Sequence, residues 1–363
     1  MPRDFAPSTP LNDAFLGAVG ESIDAFLDAQ RPALEQIGSE AMLDVARGFT
    51  SGGKRLRPAF CYWAHVAVAG APVDASSLVQ LASSLDLLHV SALVHDDLID
   101  AADTRRGLPA AHRQFENLHR DNGGRGSGQE FGVSSAILLG DLLLMWSIEM
   151  ADSCGAPHLD RALPLLAATR TEVTAGQYLD VATQYGLAGA TGIDAELDVA
   201  RRVLEYKSAR YSVRRPIQIG AALGAAPEDL VETLGEFGSL TGRAFQLRDD
   251  LLGVFGDPAR TGKPWAGDLR EGKRTVLALT ALSRATEAQA EVLSAVLGSQ
   301  DAADELLADA VTVIEDTGAR HEVETMIDDG LSRALEILDG AKITPEGRTA
   351  LSRLAELSVR RAS

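Results

Sequence analysis

Aromatic residues make up only 5% of this 363-residue chain, and cysteine occurs just twice. So few rings, set against abundant alanine and leucine, favour helices over sheets. Cys61 and Cys154 lie in mainly apolar helical contexts and read as buried free thiols, not as a disulfide framework. Positive charge is scarce: 34 basic residues face 52 acidic ones, a formal net charge of −18 with no basic stripe. That excludes a nucleic-acid partner. It does not exclude an anionic ligand, because bound divalent cations reverse the sign of a local site. No uninterrupted apolar run of about 18 residues stands out, and Met1 to Asn12 is broken by prolines where a signal peptide needs an apolar core. The expectation is a cytoplasmic protein without stable membrane insertion. Alternating apolar and polar runs that would mark strands are missing, as is any Pro/Ser-rich linker.

What is present is helical periodicity. Residues 1–10 read as a flexible tail, and residues 11–363 as one all-α domain. Leu11 to Ile37 carries apolar residues at 15, 19, 23, 26, 27, 34 and 37. A short helix from Glu40 ends at Ser51-Gly52-Gly53, and another starts at Pro58. A long helix from Asp74 runs through Leu85, Leu88 and Val94 to a cluster of acids. Asp121 to Gln129 holds four glycines and reads as a mobile loop. Further helices are expected over 131–152, 158–184, 194–209 and 211–224, then from Pro227 to near Phe255, with four or five amphipathic helices to the end.

Two aspartate pairs punctuate this pattern, each following an apolar helical stretch. Asp96 and Asp97 are joined by Asp100; Asp249-Asp250 repeats the pair about 150 residues later. Asp96 and Asp100 fall one turn apart on one helix face, with about 6 Å of rise between them. Acids this close repel one another unless cations intervene, although a lone DDxxD also fits a solvated acidic helix end. Carboxylates near helix C-termini are suited to hard cations. Basic residues with glycine follow each pair: Arg105-Arg106-Gly107, and Gly262-Lys263-Pro264. Gly52-Gly53-Lys54-Arg55-Leu56-Arg57 sets three bases before a helix N-terminus, a natural anion site. Lys207 is placed at a helix end. Gln177 and Asp180 are either polar groups on a cavity wall or satisfied core residues. Gln246 is set to face the same space as Asp249, and His65 reads as structural.

Taken together, these residues resemble the trans-isoprenyl diphosphate synthases, also called polyprenyl synthetases. The resemblance is strongest over residues 40 to 280. It is carried by GGKRLRP at 52–58, LLHVSALVHDDLIDAADTRRG at 87–107, GQYLD at 176–180, YKSA at 206–209 and FQLRDDLLGVFGDPARTGKP at 245–264. It implies a single-domain helical bundle around a deep central cavity, usually a homodimer. It also implies that Asp96, Asp97, Asp100, Asp249 and Asp250 bind three magnesium ions. Arg105, Lys207 and Lys263 would grip an allylic diphosphate (dimethylallyl, geranyl or farnesyl). Lys54, Arg57, His89 and Arg106 would hold isopentenyl diphosphate, and Ser208 and Gln246 would line the reaction centre.

The second motif departs from the family pattern, because Gly253 stands where a third aspartate is usual. Product length is expected to follow from Ser91 and Ala92, one turn before Asp96, with Leu88 further back and Met145 and Trp146 as a possible floor. Small residues there imply the twenty-carbon geranylgeranyl diphosphate, with longer polyprenyl products as the alternative. A class I terpene cyclase would normally lack the second acid motif and GGKRLRP. A non-catalytic subunit of a heteromeric synthase would tend to lose acids, and Gly253 alone points that way.

Overall fold

The computed structural model describes residues 5–105, 107–257, 265–299 and 301–360. Three helices open the chain: α1 (Asp13–Ile37), α2 (Glu40–Thr50) and α3 (Leu56–Ala69). Helix α1 is capped by the Asn12 side chain, which accepts from the Phe15 N–H, and stops at Gly38 in the left-handed region. Its buried face, Phe15, Val19, Ile23, Leu27 and Leu34, is the one its periodicity predicts. The expected tail is shorter than ten residues. Phe5 packs edge-on against Phe15 and Tyr62, and the Trp63 indole N–H donates to the Pro10 carbonyl at 3.1 Å. Residues 1–4 lie outside the described residues.

Helix α4 (Ser76–Ile99) is apolar on all sides, with Leu81, Leu85, Leu87, Val90 and Val94 all buried. Such a helix has no solvated face to offer and is buried in the centre of a bundle. A two-residue hairpin, β1 (Thr104–Arg105) against β2 (Leu108–Pro109), follows it, the only strands among the described residues. Then come α5 (Ala111–Asp121), α6 (Gly128–Asp152) and α7 (Leu159–Gln184). Helix α6 packs along α4. By length and composition alone α4 and α6 are apolar enough to cross a membrane, a test that a buried core helix also passes, and 72% of the most apolar window of α4 is buried inside the bundle.

Helix α8 (Ile193–Val203) leads without a break into an eleven-residue π-helix (Leu204–Arg214) and then α9 (Arg215–Leu223). The sequence suggested two helices parting near residue 210. Pro216 sits inside the continuous helix, unable to donate to the turn behind it. The wide winding is matched by glycines on both neighbours. A Cβ at Gly176 of α7 would come within 2.5 Å of the Lys207 nitrogen. On α10 (Glu228–Phe255), a Cβ at Gly242 would meet the Ala209 carbonyl at 2.6 Å and one at Gly238 the Arg214 Cα at 2.7 Å. Glu172 of α7 and Glu205 of the π-helix, both largely buried, tie the π-helix to its neighbours through Arg210, Arg215 and Arg243.

The chain closes with α11 (Gly267–Arg270), α12 (Val276–Arg284), α13 (Glu287–Val296), α14 (Asp304–Asp316), α15 (Ala319–Gly340) and α16 (Pro345–Val359). Helix α15 lies along α10 and α16 against α3, so one apolar core runs from Phe15 to Val359. Both cysteines are buried and free, as their apolar surroundings indicated.

Candidate active site

The last turn of α4 presents its three acids in two directions. Asp96 turns toward α7 and the π-helix: its Oδ1 accepts from the Gln177 amide at 2.9 Å and lies 3.6 Å from the Lys207 ammonium. Lys207 also donates to Asp180 Oδ2 at 2.6 Å. Gln177 and Asp180, ambiguous in sequence, are hydrogen-bonded partners of Asp96 and Lys207. Asp100, one turn on, faces Lys273, whose Nζ is 3.4 Å away. Asp97 goes the other way. It is fully buried, and its Oδ1 accepts two bonds from the Arg105 guanidinium on β1, the Nε one at 2.6 Å. The sequence grouped Asp97 with its neighbours; the structure separates it, because successive helical residues point about 100° apart.

The second acid set is on α10. Asp250 is buried and accepts from the Gln246 amide, one turn earlier, at 2.8 Å; Asp249 beside it is half-buried. Gln246 is thus occupied in orienting Asp250.

A second polar cluster gathers at the start of α3. Arg57 donates to the Ser212 hydroxyl at 2.8 Å and lies 4.1 Å over the Tyr211 ring. The Tyr211 hydroxyl is 2.6 Å from His89 Nδ1. Lys54 is exposed beside them, and Ser208 is half-buried on the π-helix. Arg55 does not join this group. It is buried with a left-handed backbone (φ 50°) and bonds Asp86 and the Thr50 carbonyl. One of the three bases of the glycine turn is therefore structural, and its ion pair holds a backbone that disfavours a side chain. Arg106 and Lys263 lie outside the described residues.

Tyr211, Ser212 and Lys273 were missed in sequence. Lys273 had a usable signal: Gly272-Lys273-Arg274 precedes a helix capped by Thr275, the same glycine-base-helix pattern as Gly53-Lys54-Arg55. The chain-length residues also divide. Ser91 is buried, and its hydroxyl donates to the Gly140 carbonyl at 2.7 Å, so it serves the contact between α4 and α6. Trp146 is buried against Phe26, and Met145 is exposed on α6. Ala92 is half-buried, and Leu88 is buried but stands apart from the contiguous core.

Electrostatics at the cleft are tightly balanced. Burial opposes the charged forms of Lys207 and Lys273, yet the surrounding carboxylates outweigh it and hold both ammonium pKa values above the usual lysine range. Burial also pushes on Asp96, but Lys207, Lys273 and Arg105 keep its carboxyl low. Asp100 is pushed up to about 6 by burial, with Asp96 and Glu271 adding to the effect. Burial is the main cause, and Lys273 and Lys207 pull the other way. Hard oxygen donors in that condition fit magnesium. Among the described residues no three acids converge on one point. Any ion held by Asp96, Asp100, Asp249 or Asp250 would complete its shell with water and ligand oxygens.

Comparison with known proteins agrees with this geometry. The family model described as polyprenyl synthetase matches residues 40–314. A crystal structure of geranylgeranyl pyrophosphate synthase from Corynebacterium glutamicum, complexed with isoprenyl diphosphate and magnesium, superposes with a TM-score of 0.90 at 38% identity, covering 96% of this chain and 99% of that one. The short chain isoprenyl diphosphate synthase of Methanothermobacter thermautotrophicus is 30% identical over 91% of this chain and 94% of its own. The geranylfarnesyl diphosphate synthase of Aeropyrum pernix is 31% identical over 86% of this chain and 91% of its own.

Proposed function

This chain belongs to the polyprenyl synthetase family, and we propose that it joins isopentenyl diphosphate to an allylic diphosphate, with geranylgeranyl diphosphate as the main product. The observation that carries the reading is the π-helix. It reaches the aspartate cleft with Lys207 and, four residues later, the Arg57–His89 cluster with Tyr211. Two anion grips side by side suit a reaction between two diphosphates.

Lys207 and Arg105 would take the allylic diphosphate beside Asp96 and Asp100, while Arg57, His89 and Lys54 would take the isopentenyl diphosphate. Asp97 would act by fixing Arg105. Magnesium held by Asp96, Asp100, Asp249 and Asp250, three ions in our reading, would neutralise the leaving diphosphate as its bond to carbon breaks. The carbon–oxygen bond electrons leave with the diphosphate. The isopentenyl double bond, held close by its own grip, attacks the allylic cation and forms the new carbon–carbon bond. A proton then passes from carbon to the departed diphosphate. Lys207, held cationic by Asp96 and Asp180, stabilises charge where it develops.

The test is direct. Purified protein with magnesium, isopentenyl diphosphate and dimethylallyl, geranyl or farnesyl diphosphate should give a twenty-carbon product from each primer. No condensation with any primer would refute the reaction, and a product longer than twenty carbons would refute the assigned length. Ala92→Phe should shorten the main product to fifteen carbons; an unchanged product length removes Ala92 from that role.

We also assign a second copy of the chain to α6. Its outer face exposes Phe131, Ile137, Leu138 and Met145, with Leu138 59% and Met145 56% accessible. An apolar row this long on one helix is an association surface. Sedimentation should give a dimer, and Leu138→Glu should weaken it at least tenfold. A wild-type monomer at micromolar concentration would be inconsistent with this.

A further inference from the structure

An eleven-residue π-helix is far longer than the single turn in which this winding usually occurs, so something must hold it. The glycines of α7 and α10 make room for the wide turns. Room permits the winding but does not select it over an α-helix. Selection needs contacts that only the wide turn can make. Arg210 Nε donates to Glu205 Oε1, five residues earlier, at 3.0 Å, and its Nη1 donates to Glu172 Oε1 of α7 at 2.8 Å. Arg215, five residues later, donates through Nε to the same Glu172 at 2.9 Å. On an α-helix, residues five apart point about 140° away from each other, and side-chain pairs form at three or four. On a π-helix the hydrogen-bonded turn closes at five. The two five-residue steps therefore set Glu205, Arg210 and Arg215 in one column against Glu172. Rewinding to α would pull that column apart. All four side chains are largely buried, so water would not make good the lost pairs.

We propose that Arg210 is a positioning residue for the condensation: by bridging Glu205 and Glu172 it selects the π winding, and the winding sets where its neighbours point. Lys207, three residues before, meets Asp180 and Asp96. Tyr211, the next residue, meets His89 and lies under Arg57. In an α-wound segment the angle between Lys207 and Tyr211 would change, and the two sets of contacts could not both be kept. Arg210 is itself engaged elsewhere, by the two glutamates and by the Tyr206 ring at 4.4 Å. The inference rests on the two-diphosphate reading above and names the residue that holds its two grips in place.

Arg210→Gln tests this. It removes both bridges while Arg215 still pairs with Glu172 and Arg243 with Glu205, so neither carboxylate is stranded. In the folded variant kcat should fall about 100-fold, the loss that a small misplacement remote from the chemistry produces, and the KM for isopentenyl diphosphate should rise. The imidazole nitrogen resonance of His89, in protein isotope-labelled at histidine and assigned with His89→Asn, should move as the Tyr211 hydroxyl leaves it. Arg210→Lys keeps the charge but reaches one carboxylate at a time, and should fall between wild type and Arg210→Gln in both readouts. Arg214→Gln is the control: it removes an ion pair from the same helix to the exposed Glu232 and should keep kcat within about threefold. An unmoved His89 resonance in folded Arg210→Gln overturns the proposal. So do equal kcat losses in Arg210→Gln and Arg214→Gln. If Arg210→Gln does not fold, the His89 resonance of Arg210→Lys decides. If the wild type condenses no substrates, the functional reading fails and the resonance alone decides this inference. An active wild type with an unmoved resonance in Arg210→Gln fails this inference only.

Discussion

Asp96→Ala is expected to lower kcat about 1,000-fold, roughly 4 kcal/mol of transition-state stabilisation, while leaving the fold intact. Asp96 is one of the two first-motif acids that face the cleft, and it is the acceptor for both Gln177 and Lys207. On the proposed reading its loss would remove a cation ligand and one of the two carboxylates that hold Lys207 beside the leaving group. Removing a single charge-stabilising group at a preorganised site typically costs 10²- to 10³-fold, and losing a metal contact as well pushes toward the upper end. The fold should survive because Lys207 keeps Asp180 at 2.6 Å, so no buried charge is stranded. Steady-state kinetics and a melting curve on the same preparation test both halves. A kcat within tenfold of wild type would show that Asp96 does not serve the chemistry.

Arg55→Met should act in the opposite way, on stability more than on the catalytic step. Arg55 and Asp86 form a buried ion pair, and Arg55 also caps the Thr50 carbonyl. Removing the cation strands Asp86 in the interior, and such deletions cost about 3–5 kcal/mol. Lys54→Ala, one residue away but exposed, should leave stability within about 0.5 kcal/mol and raise the KM for isopentenyl diphosphate. Urea unfolding separates the two. Equal midpoints for wild type and Arg55→Met would mean that the pair contributes nothing.

This contrast shows where sequence reading succeeds and where it stops. Helix α4 and its acids were legible because a long apolar stretch and a local cluster of like charges lie within one stretch of chain. Arg55 was not, because three adjacent bases look alike until Asp86, 31 residues on, selects one of them. Asp97 was read with Asp96 by spacing, but rotation about the helix and a single arginine set it apart. Ser91 was read as small and therefore permissive, yet its hydroxyl is committed to Gly140. The π-helix left no sign in the periodicity, since the glycines that accommodate it belong to α7 and α10.

The π-helix has one more consequence. In the proposed reading one member of each substrate grip stands on the same rod, Lys207 toward one diphosphate and Tyr211 toward the other. The separation between the reacting carbons would then be gauged partly by a single piece. Its error would be the tolerance of one helical turn, not the accumulated slack of two independent loops, and motion that carried one substrate would tend to carry its partner along.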